Sequence, residues 1–146
     1  MSSPILVSGL TNAASYTCTV STTTTLGTSA WSASSNSAMP VPAPYAPTNI
    51  SITPGPGSAT ITFTYPPNTV GVVTTYTVTC SATGQATVTA TGTSSPITVL
   101  GLVGDVTYSC SVTGSNAGGT SLPSSTVQVT PTFNAAIVPL LFLLLD

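Results

Sequence analysis

Residues Ser94–Ser121, SSPITVLGLVGDVTYSCSVTGSNAGGTS, occur once before in the chain, as Ser2–Ser29, SSPILVSGLTNAASYTCTVSTTTTLGTS. The offset is 92 residues without a gap, and 13 of the 28 paired positions are identical. The identities include Pro4/Pro96, Ile5/Ile97, Gly9/Gly101, Leu10/Leu102, Tyr16/Tyr108, Cys18/Cys110 and Gly27/Gly119. In the second copy Ile97 and Val99 alternate with polar or solvent-tolerant neighbours, as do Tyr108, Cys110 and Val112. Alternation of period two marks strands with one buried face. Gly101, Leu102 and Gly104 lie between the two runs and make a corner rather than a helix. A period of 92 in a chain of 146 residues leaves room for one and a half copies of a β unit.

Composition points the same way. Thr and Val favour strands, while Glu and Lys are absent and Gln is scarce, so an all-β fold is expected. Apolar residues make up 41% of the chain, enough for a core, but charged residues only 1%. There is no Lys, Arg or His, and Asp105 and Asp146 are the only acidic side chains. Nucleic acid is therefore not expected as a partner, because phosphate contacts need basic side chains. A nearly chargeless surface tends to associate, which implies assembly into a larger object, a glycan coat, or both. Asn49-Ile50-Ser51 is an acceptor pattern for N-glycosylation. The Thr22–Thr25 run could carry O-linked sugars, although outward strand positions account for such residues more simply.

Read in order, Ile5–Val7 and Tyr16–Val20 are expected as strands and Ser34–Met39 as a weak third. PVPAPYAP, residues 40–47, is a stiff proline-rich linker. A fresh unit follows: Asn49–Thr53, Ala59–Tyr65, Val72–Cys80, Ala86–Ala90 as a short edge strand, Ile97–Leu100, Val106–Thr113 and Thr126–Thr130. Seven short strands separated by turn signals match the pattern of an immunoglobulin-like sandwich. The resulting division is a partial module at 1–39, the linker at 40–47, a complete module at 48–132 and an apolar tail at 133–146.

GSATITFTYPP (Gly57–Pro67), TTYTVTCSA (Thr74–Ala82), SPITVLGL (Ser95–Leu102), TYSCSVTGSNAGGTS (Thr107–Ser121) and VTP (Val129–Pro131) resemble a fibronectin type III module of the kind repeated in bacterial surface and secreted proteins. The resemblance implies a seven-stranded β-sandwich, preceded by the last three strands of a second such module. Leu102 and Tyr108 keep the family's six-residue separation, implying a corner in which the tyrosine hydroxyl bonds back to the backbone; Leu10 and Tyr16 repeat it. Phe63 stands where many members place a tryptophan, and the usual charged surface is missing. In this fold the third and sixth strands are neighbours. Cys80 and Cys110 should then lie close together, either as a disulfide or as two packed thiols. The family serves as spacers, adhesive stalks and carbohydrate-associated modules, and the fold does not choose among them.

No catalytic constellation is visible. A Ser or Cys nucleophile would lack a base, and Asp105 sits in a turn sequence. The cysteines show no metal-type spacing, and no cofactor is expected. Trp31, Tyr45 and Tyr65 could stack on sugars, but packing is the simpler expectation. The run Ala135–Leu145, interrupted by Pro139, is too short for a spanning helix, so membrane spanning is not expected. No ordinary secretory signal is expected after Met1, so an exported protein would have had its signal removed, would carry it outside this chain or would use an unusual one. These features together suggest a non-enzymatic extracellular or cell-surface protein, a subunit of a fibre or filament whose partners are copies of itself. Ile5, Val7 and Val20 would lie bare in the single chain. A neighbour would cover them with a strand from its tail, carrying Ile137, Val138, Leu140, Leu141, Phe142 and Leu143. The competing reading is an adhesive or carbohydrate-binding module, a fragment of a larger surface protein or viral fibre.

Overall fold

A computed structural model describes residues 4–67 and 71–133. The chain divides into two compact units, Met1–Pro42 and Ala43–Asp146, called unit 1 and unit 2 below. The tail residues Ile137 to Leu143 lie outside the described residues, and with them the expectation of a tail donor strand.

Unit 1 contains one short hairpin, β1 (Thr23–Thr24) and β2 (Gly27–Thr28). Unit 2 contains β3 (Thr48–Gly55), β4 (Ser58–Thr64), β5 (Thr75–Ser81), β6 (Val88–Gly92), β7 (Ile97–Leu100), β8 (Tyr108–Asn116), β9 (Gly119–Thr120) and β10 (Val127–Val129). All described strand pairs are antiparallel. One sheet has the order β3-β4-β7; the other runs β10-β8-β5-β6, with β9 paired to β8. These are the two layers of a sandwich.

The sequence dictates which face goes inward. Along β4, Ala59, Ile61 and Phe63 are buried, and their Thr neighbours face out. The opposite sheet contributes Tyr76, Val78, Cys80, Tyr108, Cys110, Val112 and Val129. Burying each large apolar side chain contributes about 1.5–3 kcal/mol, so this interlayer core holds unit 2 together. Phe63 and Tyr76 pack with ring centroids 4.8 Å apart, and Tyr65 meets Tyr76 edge-on at 5.8 Å. On the outer faces hydroxyls pair across strands where most proteins place charges: Thr60 with Thr98, Ser51 with Thr62, Thr107 with Thr130.

Four details differ from the expectations. The edge strand runs Val88–Gly92 rather than Ala86–Ala90, because Val88 is the residue that comes opposite Cys80. A short β9 extends the β8 hairpin. In unit 1, Ile5–Val7 and Tyr16–Val20 form no strand ladder. Their equivalents in unit 2, β7 and β8, are paired by β4 and β5, for which unit 1 has no counterpart among the described residues. Ser34–Met39 is also not a strand; Ala38 alone bridges to Tyr16.

Candidate functional site

Both copies of the repeat set their corners identically. Gly9 and Gly101 have φ of 78° and 80°, Ala13 and Asp105 have 63° and 59°, and Gly27 and Gly119 have 137° and 134°. The Tyr16 hydroxyl accepts the Thr11 N–H at 3.0 Å, and the Tyr108 hydroxyl accepts the Val103 N–H at 3.2 Å. The Thr11 backbone bond, reinforced by the Thr11 side chain, holds the Tyr16 phenol below its ordinary pKa. A tyrosine corner thus forms in each copy.

The segment that closes each copy is built on serine. In unit 2 the Ser124 Oγ accepts the Val112 N–H, the Ser124 N–H is donated to the Val112 carbonyl, and the same Oγ donates onward to the Ser125 carbonyl. Ser121 does the same opposite Gly114. In unit 1 the motif occurs three times, with Ser29 opposite Thr22, Ser32 opposite Val20 and Ser35 opposite Cys18. The closing segment there advances three residues for every two on the facing run. Unit 2 leaves this pattern after Ser124, because Val127 stands where unit 1 has Ser35, and regular β10 begins. This is why Ser34–Met39 does not become a strand. Serines at 29, 32 and 35 were the sequence signal, hidden in a Ser/Thr-rich stretch.

Burial separates the copies. Ile97, Val99, Leu102 and Val112 are at most 5% exposed, whereas Ile5, Val7, Leu10 and Val20 are 65%, 55%, 38% and 55% exposed. Cys110 is bonded to Cys80, with sulfurs 2.09 Å apart, while Cys18 is an exposed free thiol. The edge is open as well. Thr17 and Thr19 make no backbone hydrogen bond among the described residues, although their equivalents Ser109 and Ser111 lie in register with Ser81 and Thr79 of β5. Unit 1 therefore presents an apolar face beside an unpaired edge, a surface suited to receiving a strand.

The remaining candidates are dispersed. Asn49 is exposed at an irregularity in β3, with φ of 51° and its amide 3.4 Å from the Thr64 hydroxyl. Trp31 and Tyr45 are exposed; Trp31 does not pack as expected, because the described residues of unit 1 include no second layer to cover it. Tyr65 does pack against the core. Asp105 occupies a turn and donates its N–H to the Pro131 carbonyl. A shallow depression in unit 2 is lined by Ser81, Ala82, Thr83, Thr107 and Ser109, none of which is a general base. No group of three or more metal-ligating side chains occurs among the described residues, and no helix there is long and apolar enough to cross a membrane.

Comparison with known proteins places these features. The Fibronectin type III domain family matches residues 45–130. No curated protein matches the chain. Among solved structures, the FN1–FN3 domains of chicken CNTN1 share 16% identity and a TM-score of 0.66, over 84% of this chain and 44% of that one. Domains A168–A170 of titin share 23% identity and a TM-score of 0.56, over 62% of this chain and 32% of that one. A myokine structure is similar over 62% of this chain and 99% of its own length, at 18% identity and a TM-score of 0.54. At these identities the likeness concerns the fold. The chain thus spans less than half of the multi-domain titin and CNTN1 structures.

Proposed function

Because the chain belongs to the fibronectin type III family, we propose that it is a non-enzymatic structural module of an extracellular or cell-surface protein, assembled with copies of itself into a fibre by strand completion at unit 1. Modules of this family are generally non-enzymatic and common in surface proteins. The observation that carries the reading is the contrast between Ile5, Val7 and Val20, bare in unit 1, and Ile97, Val99 and Val112, buried in unit 2. A free monomer would keep that apolar face in water, and addition of a neighbour's strand would cover the face and pair the edge together. Head-to-tail addition of this kind propagates rather than closes.

Sedimentation velocity across a dilution series, with electron microscopy of the concentrated sample, tests this. Reversible growth into filaments, abolished by Val7→Asp, is expected. A monomer at every concentration would overturn the reading.

A second reading draws on the CNTN1 comparison, which extends over 84% of the chain and so beyond a single module. In that reading the chain is part of an adhesive multi-module array, and exposed Trp31 is the side chain that stacks on a glycan. Trp31→Ala would then reduce retention on a glycan array without changing the sedimentation profile.

A further inference from the structure

We propose that Asn49 is the acceptor of an N-linked glycan and that the sugar shields the open edge of β3. The inference rests on the extracellular reading above and is independent of strand completion. The chain has six asparagines, Asn12, Asn36, Asn49, Asn68, Asn116 and Asn134. Only Asn49 is followed two residues later by Ser or Thr, with a residue other than proline between them. An acceptor must lie at the surface, because the attached sugar is bulky and hydrated. Unit 2 meets this condition residue by residue. Thr48, Asn49 and Ser51 are exposed, while Ile50 is half-buried and packs against the core.

The backbone sets the amide apart from the ladder. Thr48 pairs with Thr64 and Ser51 with Thr62, so Asn49 and Ile50 together stand opposite Phe63. That is a bulge, and Asn49 takes its left-handed position with φ of 51°. Asparagine tolerates this backbone and glycine adopts it freely. The Asn49 Nδ2 donates to the Thr64 hydroxyl at 3.4 Å. An amide nitrogen carries two N–H groups, so a sugar replaces one and the bond to Thr64 keeps the other. The donor is an oligosaccharide linked to a lipid pyrophosphate, transferred by an oligosaccharyltransferase. The bond from Asn49 Nδ2 to C1 of the first sugar forms as the C1–O bond to the pyrophosphate breaks. The lipid pyrophosphate leaves, the displaced amide proton passes to solvent, and nothing is oxidised or reduced.

The position also gives the sugar a task. β3 is the outer strand of its sheet, and residues 48–54 pair with β4 alone among the described residues. On the other side backbone bonding begins at Gly55, whose carbonyl accepts the Thr132 N–H at 3.1 Å. Proteins commonly defend such an edge with lysine, and this chain has neither Lys nor Arg. A hydrated oligosaccharide beside Ser51 keeps a second strand away by bulk instead.

The full chain is secreted from yeast or animal cells behind a cleavable leader. Entry into the secretory pathway is then imposed, so the result bears on Asn49 whether or not the extracellular reading holds. Intact mass and chymotryptic mapping, before and after peptide N-glycosidase, are the readout. The expected result is one glycosidase-sensitive glycan per chain, at Asn49, with aspartate left in its place after release. N49G keeps the left-handed bulge and S51A keeps the asparagine; both should lose the glycan, and S51T should retain it. An unmodified Asn49 in the secreted, folded chain would overturn the acceptor, as would glycosidase-sensitive mass that persists in both N49G and S51A. The edge is tested in chains carrying V7D, which blocks growth through unit 1. Sedimentation velocity should show a monomer for V7D and a shift to larger species for V7D with S51A. A monomer in both would overturn the shielding and leave the acceptor standing.

Discussion

Leu10 and Leu102 occupy the same step of the same repeat, six residues before tyrosines that make the same bond back to the backbone. Leu102 is 4% exposed and Leu10 is 38% exposed. The corners, the positive φ angles and the serine rungs form in both copies, so they are dictated by residues close in sequence. Beyond the short β1–β2 hairpin, the strand ladders and the buried core among the described residues lie in unit 2, where β4 and β5 are present to pair with β7 and β8. Turn chemistry is a local property of this sequence; a sandwich layer is not, because its free energy comes from the facing layer.

The largest expected effect comes from cutting the same side chain in both copies. Leu102→Ala leaves a cavity in the unit 2 core and should lower stability by about 2–5 kcal/mol. Leu10→Ala, in dilute chain, should change stability by no more than about 0.5 kcal/mol. Urea midpoints measure both, and equal losses at dilution would mean that unit 1 already has a covered core. The cysteines come next. Removing the bridge with C80A and C110A together should cost about 3.6 kcal/mol, given the separation of 30 residues that it closes, whereas C18A should leave the dilute chain unchanged by the same assay.

The serine rungs give a finer comparison. Ser124→Ala strips a buried Val112 N–H of its side-chain acceptor and should cost about 1–3 kcal/mol; Ser32→Ala exposes the Val20 N–H to water and should cost about 0.5 kcal/mol or less. Amide exchange at Val112 and Val20 reports the two directly.

The smallest effect concerns pH. Burial, with Tyr65 nearby, raises the Tyr76 phenol above its ordinary value of 10.0, so the folded state prefers the neutral form. That contribution is complete below about pH 10 and disappears as pH rises through the folded value. Thermal midpoints should be nearly flat between about pH 5 and 8, where few groups in this chain titrate. They should fall in the alkaline range, and Tyr76→Phe should reduce that fall.

Much of unit 2 could be read from the residues alone. Ala59, Ile61 and Phe63 alternate with threonines, and a strand with that pattern has one choice of inward face. The spacing of Leu102 and Tyr108 located a corner. What could not be read depended on partners far along the chain. Ile5–Val7 has the composition of a strand and no ladder, because composition cannot report a missing neighbour. The β6 boundary was set by Val88 meeting Cys80 across the sheet. Trp31 was expected to pack, an expectation that assumed a layer missing among the described residues of unit 1. The bare face at Ile5, Val7 and Val20 was legible for the same reason in reverse: the repeat showed what ought to cover them.

Two scales of different pitch run along unit 1, one marked every two residues by Tyr16, Cys18, Val20 and Thr22, the other every three by Ala38, Ser35, Ser32 and Ser29. They act as a vernier. An ordinary ladder that slips by one residue exchanges its faces but keeps its backbone bonds available. Here a slip of one or two residues along the closing segment takes Ser29, Ser32 and Ser35 off their N–H partners at once, and the hydroxyls of Thr28, Ser34 and Ser37 that some slips bring in fill at most two of the three rungs. All three rungs are filled together in the observed alignment and in none within three residues of it, so a closing segment exchanged between molecules would seat at the same marks.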